Sequence, residues 1–391
     1  MVFMSTVDLL QQVEEQRREM VAVAREFAEK EITPLAAEHD RTKDPPNETF
    51  RKLGELGFFG LLVPEEYGGL ALDTLTYLMI IEEIAAADSS VSITVSVHNS
   101  LPTSMLLKHG SEEQRRQWLP GMASGETLAA FCFSEADAGS DAAALRAQAV
   151  RDGSDWTLNG TKAWVTHGDC AGLLMVMART DTPDDRRGAR GISAFLVPGD
   201  AKGVERGKPE DKMGLRSSQT VSLALHDVRL GPEHLLGEEG DGFIYALEGL
   251  DQGRLGVAAQ AVGIARAALE HSLQYSAERK QFDKPVKDFQ SISFKLADMA
   301  TRIAAARALT HEAARHKDAG SSVTQMAAMA KLFASEAAVW VTNQAVQIFG
   351  GYGYMRDYPV ERLMRDAKVT EIYEGTSEIQ RIVIGRSLHS K

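Results

Sequence analysis

The chain has 391 residues, 44% of them hydrophobic and 25% charged, and its 43 basic against 55 acidic side chains give a formal net charge of -12. This is an ordinary globular composition, long enough for two or three domains, and its acidic balance argues against a nucleic-acid scaffold built on a basic face. The two cysteines, Cys132 and Cys170, lack CxxC spacing, which argues against a disulfide framework or a cysteine zinc site. No apolar run reaches the length of a membrane span, and the N-terminus has neither a signal h-region nor an Arg-rich leader, so a cytoplasmic location is expected.

From Val7 to about Lys30, apolar residues Val7, Leu10, Val13, Met20, Ala24 and Phe27 recur mostly at three- and four-residue steps, which predicts an amphipathic helix. The breaker KDPPN (43–47) and the Pro/Gly-rich connection GLLVPEEYGGLAL (60–72) follow. Helical patterns then run over 72–88 and 91–108, with a short helix over 112–118 before Pro120. The first third reads as all-α. Near Thr127 the character changes. TLAAFCF (127–133), LLMVMA (173–178), ISAFLV (192–197) and VSLALHDV (221–228) have the length and β-branching or alternation of strands. DWTLNGTKAWV (155–165) sets Asn159-Gly160 between two alternating runs, which predicts a hairpin, and DTPDDRRGAR (181–190) reads as a solvated hairpin tip. After Gly242, long helices return near 243–275, 286–318, 322–349 and 358–370, with a last one from about 377. Small residues are dense in them, which permits close packing. The fold class is α+β: an all-α domain over 1–126, an antiparallel β domain over 127–238 and a helical-bundle domain over 239–391.

HEAARH (311–316) is a false zincin, because His311 and His316 are five residues apart and five helical steps turn them off a shared face. No metal site is expected, and His98 reads as a pocket or core residue. There is no GxGxxG after a strand and no P-loop. FCFSEADAGSDAA (131–143) concentrates Ser134, Gly139 and Ser140 after a strand, which suits either a ligand-approaching backbone or a plain loop. Trp164 is either a sheet-packing aromatic or a wall against a planar cofactor. In IYEGTSEIQR (372–381), Ser377 and Gln380 form an S-x-x-Q capping box, which puts Glu374 just upstream of the helix start. Gly375 frees the backbone beside it. From the residues alone, Glu374 is equally an ordinary acidic residue or a base aimed into a cavity.

Taken together these stretches resemble the acyl-CoA dehydrogenase family, from roughly residue 8 to 389. The specific pieces, in the family's order, are FCFSEADAGSD, WVT (164–166), KMGLRSS (212–218), LDQGR (250–254), ERKQF (278–282), QIFGGYGY (347–354) and IYEGTSEIQR. Ala136 departs from the proline that many members carry, which leaves the shape of that loop open. The resemblance implies an acyl-CoA thioester held against FAD and oxidised between Cα and Cβ, with a carboxylate removing the α-proton as hydride passes from Cβ to flavin N5. Glu374 matches the base. In some branches the base sits instead on the D-x-x-R helix, a position that is Gly253 here. A free glutamate ionises near pH 4.3, so burial must raise its pKa for the task.

By position, the resemblance assigns Phe131, Phe133, Ser134, Gly139, Ser140, Trp164 and Thr166 to the flavin, and Ser140 to the CoA moiety as well. Arg279, Phe282, Gln290, Gln347 and Gly351 match residues reaching the adenosine half from a neighbouring subunit, and Thr376 and Glu378 complete the cofactor set. Asp251, Arg254 and Gly375 match substrate contacts. Gln260 and Thr370 match the short-chain branch, where they close the pocket floor, and Val97 replaces an acidic residue of the medium-chain branch. The expectation is a substrate of about four to six acyl carbons, branched chains included. The implied partner is electron-transfer flavoprotein, and the implied assembly a homotetramer built as a dimer of dimers. Two rivals are an acyl-CoA oxidase, disfavoured by the absence of an extra C-terminal domain, and a non-catalytic DNA-binding or scaffold protein, disfavoured by the net charge.

Overall fold

The computed structural model describes residues 6–182 and 187–389. The side chains of Val7 and Leu10, and the centre of the 181–190 tip, lie outside the described residues. The N-terminal third is helical: α1 (Thr6–Phe27), extended by a π-type turn, α2 (Ala36–Thr42), α3 (Asn47–Glu55), α4 (Thr74–Ala87), α5 (Ser89–Ser100), α6 (Pro102–His109) and α7 (Glu112–Ser124). The periodic stretch 91–108 is two helices, because Pro102 has no N–H to continue α5 and opens α6 instead. In contrast, α7 does not stop before Pro120. It runs through to Ser124, with a full Ser111/Gln114 capping box at its start and left-handed Gly125 at its end. One missing hydrogen bond is outweighed by the burial of Leu119, Met122 and Ala123 on either side of the proline.

The middle third is a mixed, mainly antiparallel sheet: β1 (Ala129–Cys132), β2 (Gln148–Asp152), β3 (Asp155–Thr166), β4 (Leu173–Arg179), β5 (Ile192–Pro198), β6 (Val204–Arg206), β7 (Thr220–Leu230) and β8 (Leu235–Leu236). Its order is β6-β7-β3-β2-β4-β5-β8, with β1 paired parallel to β4. Strand β4 is buried on both faces, which is why it reads as a continuous apolar run. Leu173, Met175 and Met177 face Leu119 and Met122 of α7, whereas Leu174, Val176 and Ala178 face Trp156 and Phe195.

The expected hairpin at Asn159-Gly160 is absent. Strand β3 is continuous there, and the real hairpin turns two residues at Gly153-Ser154, pairing Asp152 with Asp155. Gly160 instead marks a register shift against β7, and a Cβ on it would lie 2.6 Å from the Ala147 Cα. Glycine is therefore required at 160 by close backbone approach and not by a turn.

The C-terminal third is α8 (Gly242–Glu278), a small hairpin of β9 (Lys280–Gln281) and β10 (Lys284–Pro285), α9 (Gln290–Asp318), α10 (Thr324–Phe349), α11 (Val360–Val369) and α12 (Ser377–His389). It shares one core with the N-terminal helices: Ile80, Ile84 and Val91 pack in the same cluster as Val262, Ile303 and Ala334. Polar groups tie the two parts as well. Glu82 receives both arms of Arg307, and Glu83 receives Arg25 and Arg266. Asp318 at the end of α9 accepts the first N–H groups of α4, from Thr74 at 2.8 Å and Leu75 at 3.1 Å.

Candidate active site

The segment between α11 and α12 places Glu374 in a left-handed conformation at φ 53°, followed by Gly375 at φ 94°. A left-handed non-glycine residue is strained by about 1–2 kcal/mol and persists only where its surroundings hold it. Here they do. Gln380 Nε2 reaches back from α12 to the carbonyls of Glu374 at 3.2 Å and Gly375 at 2.8 Å. Lys331 Nζ of α10 donates to the same Gly375 carbonyl at 2.8 Å. The expected capping box does not form: Ser377 is already the first helical residue and its hydroxyl is buried without a partner. Thr376 is the cap, its Oγ1 accepting from the Ile379 N–H at 3.3 Å.

The stem of Glu374 is partly exposed, but both carboxylate oxygens are buried and neither has a hydrogen-bond partner among the described residues. Burial pushes the carboxyl up to about 7, against the pull of the Lys331 and Arg254 charges. A carboxylate buried without a partner costs stability once it ionises, so its presence marks a functional site. The space it occupies exists because residue 253 is glycine. A Cβ there would sit 1.9 Å from Glu374 Oε2. The Glu374 N–H likewise donates to no acceptor among the described residues.

Around this carboxylate lies a small apolar wall. Ile93, Val97, Leu101 and Leu215 form a buried cluster, and Phe131, Leu250, Val369 and Tyr373 pack against it. These residues come from α5, the α5–α6 junction, β1, the 212–218 loop, α8, α11 and the Glu374 segment. Gln260 is fully buried, donating to the Ser89 carbonyl at 2.9 Å and accepting from the Tyr373 hydroxyl. Thr370, also fully buried, donates to the Ala367 carbonyl at 2.7 Å. Asp251 and Arg254 pair at 2.7 Å one turn apart on α8.

The sheet supplies a flat, open surface nearby. Phe131 and Phe133 meet edge-on at 5.6 Å, and Phe133 meets Phe243 at 5.8 Å. The Ser134 carbonyl accepts from Ala163 at 2.9 Å, fastening the end of β1 to β3. Beyond it, Glu135 and Ala138 exchange hydrogen bonds at 3.1 Å, so Ala136 sits in a two-residue turn whose closure does not need a proline. Gly139 and Ser140 are exposed, with nothing within 4 Å of a Cβ added at Gly139. Trp164 is 58% exposed at φ 55°, turned out at an irregularity of β3 and not packed into the sheet. Thr166 follows at the strand end, half-buried. An outward indole, a phenylalanine pair and an open Gly-Ser loop fit a planar, partly anionic cofactor such as FAD.

Arg279, Phe282, Gln290, Gln347 and Gly351 form a separate group at the other end of α8 and α10. Phe282 is 87% exposed at φ 51°, and the Arg279 guanidinium lies 5.4 Å from the Tyr352 ring centre. Thr376 is half-buried and Glu378 exposed. His98 is a core brace: Nε2 donates to the Met122 carbonyl at 3.0 Å and Nδ1 accepts from Ala129 at 3.2 Å. Two residues near the carboxylate were missed in the sequence. Lys331 is signalled only as a lone cation in the apolar stretch MAAMAKLFASEAA, and Leu215 by nothing in its local pattern.

Comparison with known proteins gives one answer along the chain. Residues 14–126, 130–228 and 240–389 match the descriptions "Acyl-CoA dehydrogenase, N-terminal domain", "middle domain" and "C-terminal domain" respectively. The chain is 48% identical over 364 residues to the mitochondrial short-chain specific acyl-CoA dehydrogenase of Mus musculus, covering 93% of this chain and 88% of that one. The structure of butyryl-CoA dehydrogenase from Megasphaera elsdenii is similar over 100% of both chains, with TM-score 0.93 and 43% identity. A chain in the structure of the electron transferring flavoprotein of Acidaminococcus fermentans is similar over 100% of both, with TM-score 0.94 and 44% identity.

Proposed function

The chain belongs to the acyl-CoA dehydrogenase family, FAD-dependent oxidoreductases acting on a CH–CH bond, and from that premise we propose that it oxidises short-chain acyl-CoA thioesters to trans-2-enoyl-CoA with Glu374 as the base. The observation that carries this reading is the Glu374 carboxylate, buried, unpartnered and poised near neutrality beside Gly253. An acid of that pKa is ionised enough at neutral pH to take a proton, and basic enough to hold it. The substrate's α-carbon is acidified when its thioester oxygen accepts a hydrogen bond as negative charge develops, and the free Glu374 N–H is suited to that. Phe131, Phe133, Ser134, Gly139, Ser140, Trp164 and Thr166 would hold FAD, which would supply the two-electron oxidant for the substrate's β-hydride. Asp251, Arg254, Gly375 and Ser140 hold the thioester end in this reading. The chain's own contribution is to place the base and exclude water from it.

Short acyl chains, about four to six carbons, follow from the lining. Gln260 and Thr370 are fully buried, Gln260 is hydrogen-bonded to the Tyr373 hydroxyl, and Val97, Leu101 and Leu215 are apolar and share one buried cluster. We divide the chain into domains at 126/127 and 238/239, after α7 and β8. We place the enzyme in the cytoplasm, consistent with two free thiols, Cys132 and Cys170. Electron-transfer flavoprotein is the proposed acceptor. The proposed assembly is a homotetramer, a dimer of dimers, which is what gives the Arg279, Phe282, Gln290, Gln347 and Gly351 group a cofactor to touch; Thr376 and Glu378 flank it at the start of α12. The test is an anaerobic titration of the FAD-loaded enzyme with straight and branched acyl-CoAs, following flavin bleaching. Glu374→Gln should bind the same ligands without bleaching, and an eight-carbon substrate turning over much faster than a four-carbon one would overturn the chain-length assignment.

A further inference from the structure

The buried cations Lys162, Arg179 and Arg254 have carboxylate partners, but Lys331 has none at ion-pair distance among the described residues and no task in the proposed mechanism. Lys331 sits in the middle of α10 among alanines, fully buried, where a leucine or methionine would pack without the penalty of desolvating an ammonium. No carboxylate of the described residues lies within ion-pair distance of it. Its hydrogen bond goes to the Gly375 carbonyl at 2.8 Å. That carbonyl and the one before it also receive Gln380 Nε2. The two peptide planes after Glu374 are thus held from both α10 and α12, and holding them fixes the direction in which the left-handed Glu374 projects toward Gly253.

We propose that Lys331 is a positioning residue for the base: by tying down the Gly375 carbonyl, and so holding a buried positive charge against the residue next to Glu374, it sets both where the base points and the pH at which it ionises. The inference rests on Glu374 being the base. The groups facing Glu374 are Lys331 from α10, Arg254 from α8, Tyr77 from α4 and Tyr373 beside it. Those facing Lys331 are Glu374, Arg254, Glu371 and Glu378. Arg254 already has Asp251 at 2.7 Å, which offsets its field, so Lys331 is the first-ranking charge acting on the carboxylate. Burial lowers Lys331 to about 8, with the Glu374 charge opposing the drop. The sign is therefore fixed: removing the ammonium raises the Glu374 pKa.

Two variants separate charge from hydrogen bond. Lys331→Gln keeps a neutral N–H donor, and Lys331→Met keeps neither. In the FAD-loaded, substrate-free enzyme, the Glu374 carboxyl is titrated by difference infrared spectroscopy, its band assigned by its loss in Glu374→Gln. Both variants should move the midpoint up by about one pH unit. The acid limb of kcat should follow, with KM for a short-chain acyl-CoA changed less than about threefold in Lys331→Gln. Lys331→Met should lose a further tenfold or so in kcat at a pH where the base is fully ionised. An unchanged midpoint in Lys331→Gln, with Glu374→Gln inert, overturns the proposal alone. Flavin bleaching by Glu374→Gln overturns the base assignment, and the proposal with it. Should Lys331→Met fail to fold, the midpoint in Lys331→Gln still decides.

Discussion

Glu374 combines two costs that a surface glutamate would not bear, a left-handed backbone and a carboxylate removed from water. The second has a thermodynamic consequence independent of catalysis. Its folded-state pKa, about 7, lies above the ordinary 4.5, so the folded protein binds more protons than the unfolded chain between those values. The stability associated with this group is complete below pH 4.5 and is lost as pH rises through 7. Glutamine at 374 cannot ionise. Glu374→Gln should therefore match the parent near pH 4.5 and exceed it by about 3 kcal/mol at pH 8, read from denaturant midpoints of the two proteins at each pH. Equal stability at both pH values would mean that the carboxylate is hydrated in solution.

Elements matter to the site through what they hold in place. Loop 212–218 delivers Leu215 to the apolar wall at φ 48°, and its N–H donates to Asp366 of α11 at 2.7 Å. Burial raises Asp366 to about 7. Asp366→Ala would orphan the Leu215 N–H, at about 1–3 kcal/mol, and free the loop. The ratio of kcat/KM for four-carbon over eight-carbon substrates should then fall about tenfold, while Asp366→Asn, which keeps an acceptor, should retain it. None of this was legible in the sequence, because Leu215 and Asp366 are 151 positions apart and neither motif implies the other. What periodicity captures is the long helices and the doubly buried β4, where one rule acts over many residues. It fails where a single residue has two uses. Gly160 after Asn159 is the usual hairpin signal, yet here the missing side chain admits the Ala147 backbone. Ser377 with Gln380 spells a cap, but the left-handed pair at 374–375 moves the cap to Thr376 and turns Gln380 back onto their carbonyls.

At the scale of the whole molecule, the candidate residues fall into two groups, one around Glu374 and one at the C-terminal ends of α8 and α10. Gly253 lies on α8 and Arg279 just past its C-terminal end, 26 residues on, and at 1.5 Å per residue that is about 39 Å along the helix. The helix itself is clamped, because its core is shared with α4 and α5 on one side and α9 and α10 on the other. A helix held this way keeps Arg279 far from Gly253 and the Glu374 carboxylate beside it, so in the proposed function a second copy presents Arg279, Phe282 and Gln347 to a cofactor that reaches the base. In that case FAD bridges subunits, and its retention and the assembly are thermodynamically linked. Phe282 is the sharpest probe, being 87% exposed, with only an edge-on meeting with the Phe289 ring at 6.0 Å among the described residues. Burying a phenylalanine against a partner contributes about 2–3 kcal/mol, or roughly a hundredfold in a dissociation constant. Phe282→Ser should leave the melting behaviour of the flavin-free chain unchanged. In the same variant, the FAD-to-protein ratio should drop after gel filtration, light scattering should report smaller species on dilution, and added FAD should reverse both. Full FAD retention by a monomeric Phe282→Ser protein would show that the cofactor is held by one chain, and would remove the reason for placing this group at a shared site.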